Sequence, residues 1–326
     1  MEPKSHVTVI GAGELGAAIG GLLQRNGIEP VLWDADPARV PGQGPLEDAL
    51  KDADCILFCV PSWAMRAAAG AVLSADTLHK DAVVVSFAKG MEDASGKTMT
   101  ELFDELFPAD GGRSFAVVGG PMLAEEIAAG KSAIAVFGSK DPRALDMCRS
   151  LFASASDGDG ASGRSAQNIR MEFLNDPLSL SLAGVLKNVY AVALGVADGL
   201  GLSENEKGWI ASVGIKEMAA VATLLNADPA VVLGAGGAGD LIATGYSAYS
   251  RNRGIGAEIA RTGTCALRGE GTVSLPALKR RIEGRRKEGG GEEKEEQFPL
   301  LELVHTVSIE CKPARAAFDA FFRNGV

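Results

Sequence analysis

The first 34 residues set out a strand, a glycine turn, a helix and a second strand ending in an acid, and few folds accept that order. Val7-Thr-Val-Ile10 is a short β-branched run, and Gly11-Ala-Gly13-Glu14-Leu15-Gly16 follows it without a break. Ala17 to Leu23 is helical in character, Gly27 is a stop signal, and Pro30 to Trp33 runs as a strand into Asp34. Gly11 permits the tight turn, Gly13 lets backbone approach a pyrophosphate, and Gly16 lets the helix pack close to the sheet. The pyrophosphate would sit on the helix N-terminus, where free N–H groups and the helix dipole favour an anion. Asp34 lies 18 residues after Gly16, where a carboxylate accepts hydrogen bonds from the adenosine ribose hydroxyls and repels a 2′-phosphate. A lone glycine pattern is weak evidence, but the flanking strand, helix and acid make it a prediction of dinucleotide binding. NAD is favoured over NADP, which stays open as the alternative, because no arginine follows Asp34 until Arg39.

Alternation continues through the first half. Asp54 to Val60 reads as a strand ending at Pro61-Ser62, and Ala82 to Ser86 as another ending at Phe87-Ala-Lys89-Gly90. Phe115 to Val118 precedes Gly119-Gly120-Pro121, Ser132 to Phe137 comes next, and Ile169 to Asn175 is the last strand. Strands alternating with helices predict an α/β fold with a doubly wound Rossmann sheet, whose ligands bind beyond the carboxyl ends of the strands. Pro61, Lys89 and Gly120 are therefore candidates to line the cleft. The expected division is a dinucleotide-binding domain over 1–176 and an all-α domain over 177–326. Residues 154–168 read as a polar insertion, and 284–297, with its charges and three glycines, as a solvated loop.

The second half opens with an unusual helix. Lys187 is the only charged residue between Asp176 and Asp198, in a stretch rich in Leu, Ala and Val. Lysine is seldom fully buried without a partner, so this one either snorkels outward or faces a polar cavity that uses its proton. The stretch is long enough to raise the question of a membrane span, but its central Lys-Asn pair, serines and glycines fit burial in protein better. A second helix is predicted over 204–226. The glycine-rich Gly234 to Gly239 follows no clear strand and is expected to bring backbone close to a ligand and aim Asp240 at it. Ser250 reads as the N-cap of a helix, and Ser250-Arg251-Asn252 at a helix start offers a hydroxyl, a guanidinium and an amide to a phosphate.

The net charge of −10 and pI near 5.0 argue against non-specific nucleic-acid binding, which needs a basic surface. The five cysteines are scattered and contain no Cys-x-x-Cys, so neither a disulfide framework nor a zinc site is expected. The N-terminus lacks the apolar core of a signal peptide. A cytoplasmic enzyme without a membrane span is the expected setting; a homodimer is common in such folds, and nothing in the sequence fixes the oligomeric state.

Taken together, these motifs resemble the soluble, bacterial-type NAD(P)-dependent glycerol-3-phosphate dehydrogenases. The likeness rests on Gly11-Ala-Gly13-x-x-Gly16, Val60-Pro-Ser62, Ala88-Lys89-Gly90 and Gly119-Gly-Pro-x-x-Ala124-Glu125. It rests more heavily on Gly184-Val-Leu-Lys-Asn-Val189, Gly195-Val-Ala-Asp-Gly-Leu200, Gly239-Asp-Leu241 and Ser250-Arg-Asn252 in that order. The resemblance implies interconversion of sn-glycerol 3-phosphate and dihydroxyacetone phosphate, with supply of glycerol 3-phosphate for phospholipid synthesis. It places the catalytic lysine on Lys187, a second substrate lysine on Lys89, an aspartate on Asp240 and the phosphate grip on Ser250, Arg251 and Asn252. Gly11, Gly13, Glu14, Leu15, Gly16, Asp34, Pro61, Lys89, Ala124, Arg251 and Glu270 fall where the family touches the cofactor; Gly120 and Met122 fall beside the substrate. Three features depart from the family pattern, the loops at 154–168 and 284–297 among them. Glu14-Leu15 replaces small and aromatic residues, and Met122 stands where a Ser or Thr is expected. A related dehydrogenase of another hydroxy acid, or a non-catalytic dinucleotide-binding protein, remain the competing readings.

Overall fold

The protein is described from a computed structural model covering residues 5–75, 77–108, 113–153, 169–265, 267–288 and 297–324. The insertion expected at 154–168 and residues 289–296 of the charged run lie outside the described residues. Contacts divide the chain into two units: residues 1–89 with 99–181, and residues 90–98 with 182–326.

The first unit is built on a seven-stranded sheet of order β2-β1-β3-β4-β5-β6-β7. Its strands are β1 (Val7–Ile10), β2 (Val31–Trp33), β3 (Cys55–Phe58), β4 (Val83–Ser86), β5 (Ser114–Gly119), β6 (Ala133–Gly138) and β7 (Ile169–Leu174). Neighbours run parallel except β5 and β6, which are antiparallel. Val9, Leu57 and Val85 share one level of the sheet and are fully buried, as expected for strands covered on both faces. Helices α1 (Glu14–Arg25), α2 (Leu46–Leu50), α3 (Ser62–Ser74), α4 (Met99–Leu106), α5 (Ala124–Ala128) and α6 (Pro142–Phe152) alternate with them. The chain leaves β1 toward β2 on one side and returns to β3 on the other, so a crevice opens beyond the carboxyl ends of β1 and β3.

The second unit centres on α7 (Pro177–Gly199), of which residues 182–199 cluster with this unit. The helix is apolar and long enough to cross a membrane, yet its most apolar 18 residues are all buried in the protein. Around it lie α8 (Glu204–Leu224), α9 (Pro229–Leu233), a π-helical turn (Ala235–Gly239), α10 (Asp240–Tyr246), α11 (Arg251–Thr262), α12 (Glu270–Glu288), α13 (Pro299–Ser308) and α14 (Ala314–Asn324). Helices α7 and α11 touch backbone to backbone. A Cβ on Gly195 would stand 2.1 Å from the Arg253 carbonyl oxygen, and one on Gly256 2.1 Å from that of Val192, so no larger residue fits at either crossing point.

Two expectations change here. Residues 284–288, read as loop, form the last turn of α12. Arg285 donates to the Leu224 carbonyl and pairs with Glu288, while the Arg286 guanidinium lies over the Phe298 ring, so tertiary contacts extend the helix into the charged run. The cysteines are also not all unpaired: Cys265 and Cys311 form a disulfide across 46 residues, with Cα atoms 5.7 Å apart. Sequence spacing alone carries no sign of a pairing between two distant loops.

Glu217 of α8 is buried and binds three donors: the Tyr190 hydroxyl of α7 at 2.8 Å, and the backbone N–H groups of Leu300 and Leu301 at 2.7 and 2.9 Å. It caps the start of α13, whose own N-cap, Phe298, offers no side-chain acceptor. Burial outweighs these donors and raises the Glu217 carboxyl from 4.5 to about 7. The native state therefore keeps a proton that the unfolded chain has released, and stability falls as pH rises from about 4.5 to about 7, by roughly 3 kcal/mol from this group. Glu217→Gln should remove most of that slope in urea-unfolding titrations between pH 5 and 7; an unchanged slope would place the proton elsewhere.

Candidate active site

In the first unit the glycine turn is drawn tight by contacts that leave no room for side chains. Gly11 has φ of +98°, and its N–H donates to the Trp33 carbonyl at 2.8 Å. A Cβ on Gly16 would lie 1.8 Å from the Gly11 carbonyl oxygen, which is why α1 starts so close to β1. Gly13 is the N-cap of α1 and supplies no side-chain acceptor, so the N–H groups of the first turn have no side-chain cap from within the helix. Glu14 is exposed at the first position of α1, and Leu15 is half-buried against the sheet core.

Asp34 is buried and fastened to this turn. One carboxylate oxygen accepts from the Ala12 N–H at 2.7 Å, the other from the Asp36 N–H at 2.9 Å, and Gln43 grips its backbone from both sides. A carboxylate has about four lone-pair sites, so capacity for a further donor remains. Gly11, Gly13, Asp34 and Pro61 line one cavity of about 420 Å³ together with Trp33 and Arg39. Arg39 matters more than its sequence distance suggests. The turn beginning at Asp36 returns it so that Nη1 lies 3.8 Å from the Asp34 carboxylate and close over Gly13. A helix start without a side-chain cap, a concave apolar wall and a buried acid with acceptor capacity left make a fit for an adenine dinucleotide.

At the other strand ends, Lys89 Nζ donates to the Gly120 carbonyl at 2.6 Å. Gly120 has φ of +92° and presses on β6, where a Cβ would meet the Ile134 carbonyl at 2.5 Å. Met122 is buried in the sheet core, and Ala124 opens α5, half-buried; neither lines the cavity around Asp34. A Met at 122 thus serves packing, where a hydroxyl residue would need a polar partner.

In the second unit Lys187 does not snorkel. It is 6% exposed, and its Nζ donates to Asp240 Oδ1 at 3.2 Å and to Thr244 Oγ1 at 3.0 Å. Thr244 in turn donates to Asp240 Oδ1 at 3.0 Å, closing a three-membered network that is buried throughout. Asp240 begins α10 after the π-helical turn, in which Gly237 packs on the chain's own Val232 carbonyl. That close approach is internal, and it is what sets the direction in which α10 presents Asp240.

The next residue, Asn188, ties the phosphate-cradle candidates to the same helix. Asn252 Nδ2 donates to Asn188 Oδ1 at 2.8 Å, and Asn252 Oδ1 accepts from the Gly271 N–H at 3.0 Å. Ser250 caps α11 by accepting from the Arg253 N–H at 3.2 Å, as the sequence suggests. Arg251 is exposed on the first turn of α11, and Glu270 opens α12 beside Gly271. Thr244 is the residue that sequence reading missed. It sits four positions after Asp240, hence on the same helical face, and that spacing was the available signal. Among the described residues no group of three or more His, Cys, Asp or Glu side chains is arranged to hold a metal ion.

Two family models match this chain: the N-terminal part of NAD-dependent glycerol-3-phosphate dehydrogenase over residues 37–145, and its C-terminal part over 176–319. The chain belongs to the NAD-dependent glycerol-3-phosphate dehydrogenase family. It is 31% identical over 281 residues to the glycerol-3-phosphate dehydrogenase [NAD(P)+] of Streptococcus equi subsp. zooepidemicus, covering 79% of each chain. It is 32% identical over 279 residues to that of Chlorobium luteolum, covering 78% of this chain and 79% of the other. The crystal structure of glycerol-3-phosphate dehydrogenase from Coxiella burnetii shares the fold with a TM-score of 0.78 at 22% identity, over 97% of this chain and 98% of that one. For a glycerol-3-phosphate dehydrogenase of this family, the buried Asn252 amide holds α11 to both α7 and α12. Asn252→Ala should leave Asn188 Oδ1 and the Gly271 N–H each short of a buried partner and cost about 2–4 kcal/mol in urea unfolding. A loss under about 0.5 kcal/mol would mean that these bonds do not hold the helices together.

Proposed function

We propose that this chain interconverts dihydroxyacetone phosphate and sn-glycerol 3-phosphate with NAD(H), NADP(H) being the alternative cofactor, and that Lys187 moves the proton. The observation that carries this reading is the buried Lys187 ammonium, held by Asp240 and Thr244 and followed in sequence by the residue bonded to Asn252. The nicotinamide cofactor supplies or accepts the hydride at C2 of the substrate. In reduction the C2 oxygen becomes an alkoxide, and Lys187 Nζ gives it a proton; in oxidation the same nitrogen removes it. Asp240 and Thr244 hold Nζ in place, and Asp240 favours its charged form.

Ser250, Arg251 and Asn252 are assigned to the substrate phosphate. The exposed Arg251 guanidinium suits a bidentate grip, and Asn252 fixes the helix start that presents it. Lys89, held by the Gly120 carbonyl, is assigned as a second cation for substrate and cofactor. Gly11, Gly13, Glu14, Leu15, Gly16, Asp34 and Pro61 are assigned to the dinucleotide, with Ala124, Arg251 and Glu270. Gly120 and Met122 are assigned beside the substrate. Arg39 places a cation next to Asp34, which supports some use of NADPH beside NADH. The physiological setting we assign is cytoplasmic supply of glycerol 3-phosphate to phospholipid synthesis.

The test follows NADH absorbance with dihydroxyacetone phosphate, then with NADPH. Lys187→Ala should lower kcat by about 10³-fold or more while NADH affinity, read by nicotinamide fluorescence, stays within about twofold. Undiminished turnover in that variant would remove Lys187 from the chemistry, and absence of turnover in the wild type would remove the substrate.

A further inference from the structure

Three of the five cysteines are chemically quiet. Cys55 and Cys148 are buried and Cys59 is half-buried, and burial pushes all three thiols far up, so almost no thiolate exists at neutral pH. The remaining pair is placed quite differently. Cys311 is exposed in the turn between α13 and α14, in a left-handed backbone conformation with φ of +56°, and Cys265 is half-buried in the segment joining α11 to α12. Their disulfide is the one covalent link between these two segments among the described residues.

The segment that Cys265 tethers leads into the groups behind Lys187. Just past it, Thr272 Oγ1 donates to the Leu267 carbonyl at 3.0 Å and accepts from the Gly269 N–H at 3.1 Å. Gly271 donates to Asn252 Oδ1 and lies directly against the Asn188 carbonyl, where a Cβ would come within 2.3 Å. The segment therefore ends on the pair Asn188–Asn252, the link between the α7 helix of Lys187 and the α11 start that carries Arg251. Its other end is closed by Gly263, the left-handed cap of α11. Between those anchors and the Thr272 bonds, the disulfide adds a covalent restraint at Cys265.

We propose that Cys265–Cys311 is a reversible redox site, reduced by an external dithiol, whose state sets how firmly the Gly269–Gly271 segment is held against Asn252 and Asn188. A thiolate of the reductant attacks Cys311 Sγ, the more exposed sulfur; the S–S bond breaks and Cys265 leaves as thiolate, taking a proton from water. The second thiol of the reductant then displaces Cys311, so two electrons pass to the protein and the dithiol becomes a disulfide. Removing a cross-link of this span frees the tethered segment, and the looser start of α12 weakens the hold on the phosphate end of the substrate. This last step rests on the substrate assignment proposed above, whereas the change in the segment does not.

The experiment compares the full chain in its oxidised and dithiothreitol-reduced forms. Native alkylation and intact mass count free thiols, amide exchange is read at Gly269 and Gly271, and kinetics use dihydroxyacetone phosphate. Reduction should expose two alkylatable thiols, quicken exchange at both amides about tenfold and raise KM about fivefold with kcat within about twofold. Cys265→Ser and Cys311→Ser should each match the reduced wild type and no longer respond to reductant. Free thiols at 265 and 311 under oxidising conditions, or identical exchange in the two forms, would overturn the proposal. Identical KM with altered exchange would overturn its link to substrate binding. Absence of turnover in both forms, with the exchange difference intact, would uphold the redox site and overturn the reaction assigned above.

Discussion

The second unit depends on how closely α11 crosses α7. Gly195 and Gly256 let the two backbones meet, and the Asn188–Asn252 bond joins the same pair of helices. Little more than two turns of α7, from Lys187 to Gly195, hold three neighbouring helices. Lys187 reaches α10 through Asp240 and Thr244, Asn188 reaches α11 through Asn252, Tyr190 reaches α8 through Glu217, and Gly195 receives the backbone of Arg253. A helix that is nearly all apolar thus buries Lys187, Asn188 and Tyr190, each bonded to a side chain of another helix, and those bonds fix its rotation. The lone lysine is tolerable in the interior because its partners are fixed by the same packing.

The first unit solves a different problem with the same means. There the tight contact is Gly16 on Gly11, and it brings the uncapped start of α1 to the end of β1, where Asp34 also binds the Ala12 amide. A helix start without a side-chain cap and a buried carboxylate thus stand side by side at one cavity, an arrangement that suits an anion and a ribose. Arg39 adds a positive charge to the same cavity.

Much of this was legible in the residues. Strand, glycine turn, helix and acid follow a short-range code, so the sheet unit and its cavity could be read directly, as could Lys187, Asp240 and the Ser250 cap. Thr244 was passed over although its spacing from Asp240 was available; Glu217 could not be read, because a carboxylate on a long helix reads as surface until its packing partners are known. Arg39 was judged by its distance along the chain, whereas a turn at Asp36 folds it back. The Cys265–Cys311 pair joins two loops with no shared pattern, and the extension of α12 through residue 288 depends on contacts with Leu224 and Phe298 that no local signal announces.

The central claim is that the Lys187 ammonium is the proton donor to the C2 oxygen. The most direct measurement is chemical rescue: Lys187→Ala assayed with dihydroxyacetone phosphate and NADH in the presence of small primary amines of graded pKa. The account predicts saturable recovery of at least about tenfold, with rates that vary systematically with amine pKa as general acid catalysis requires. Turnover in Lys187→Ala close to that of the wild type without any amine would contradict it.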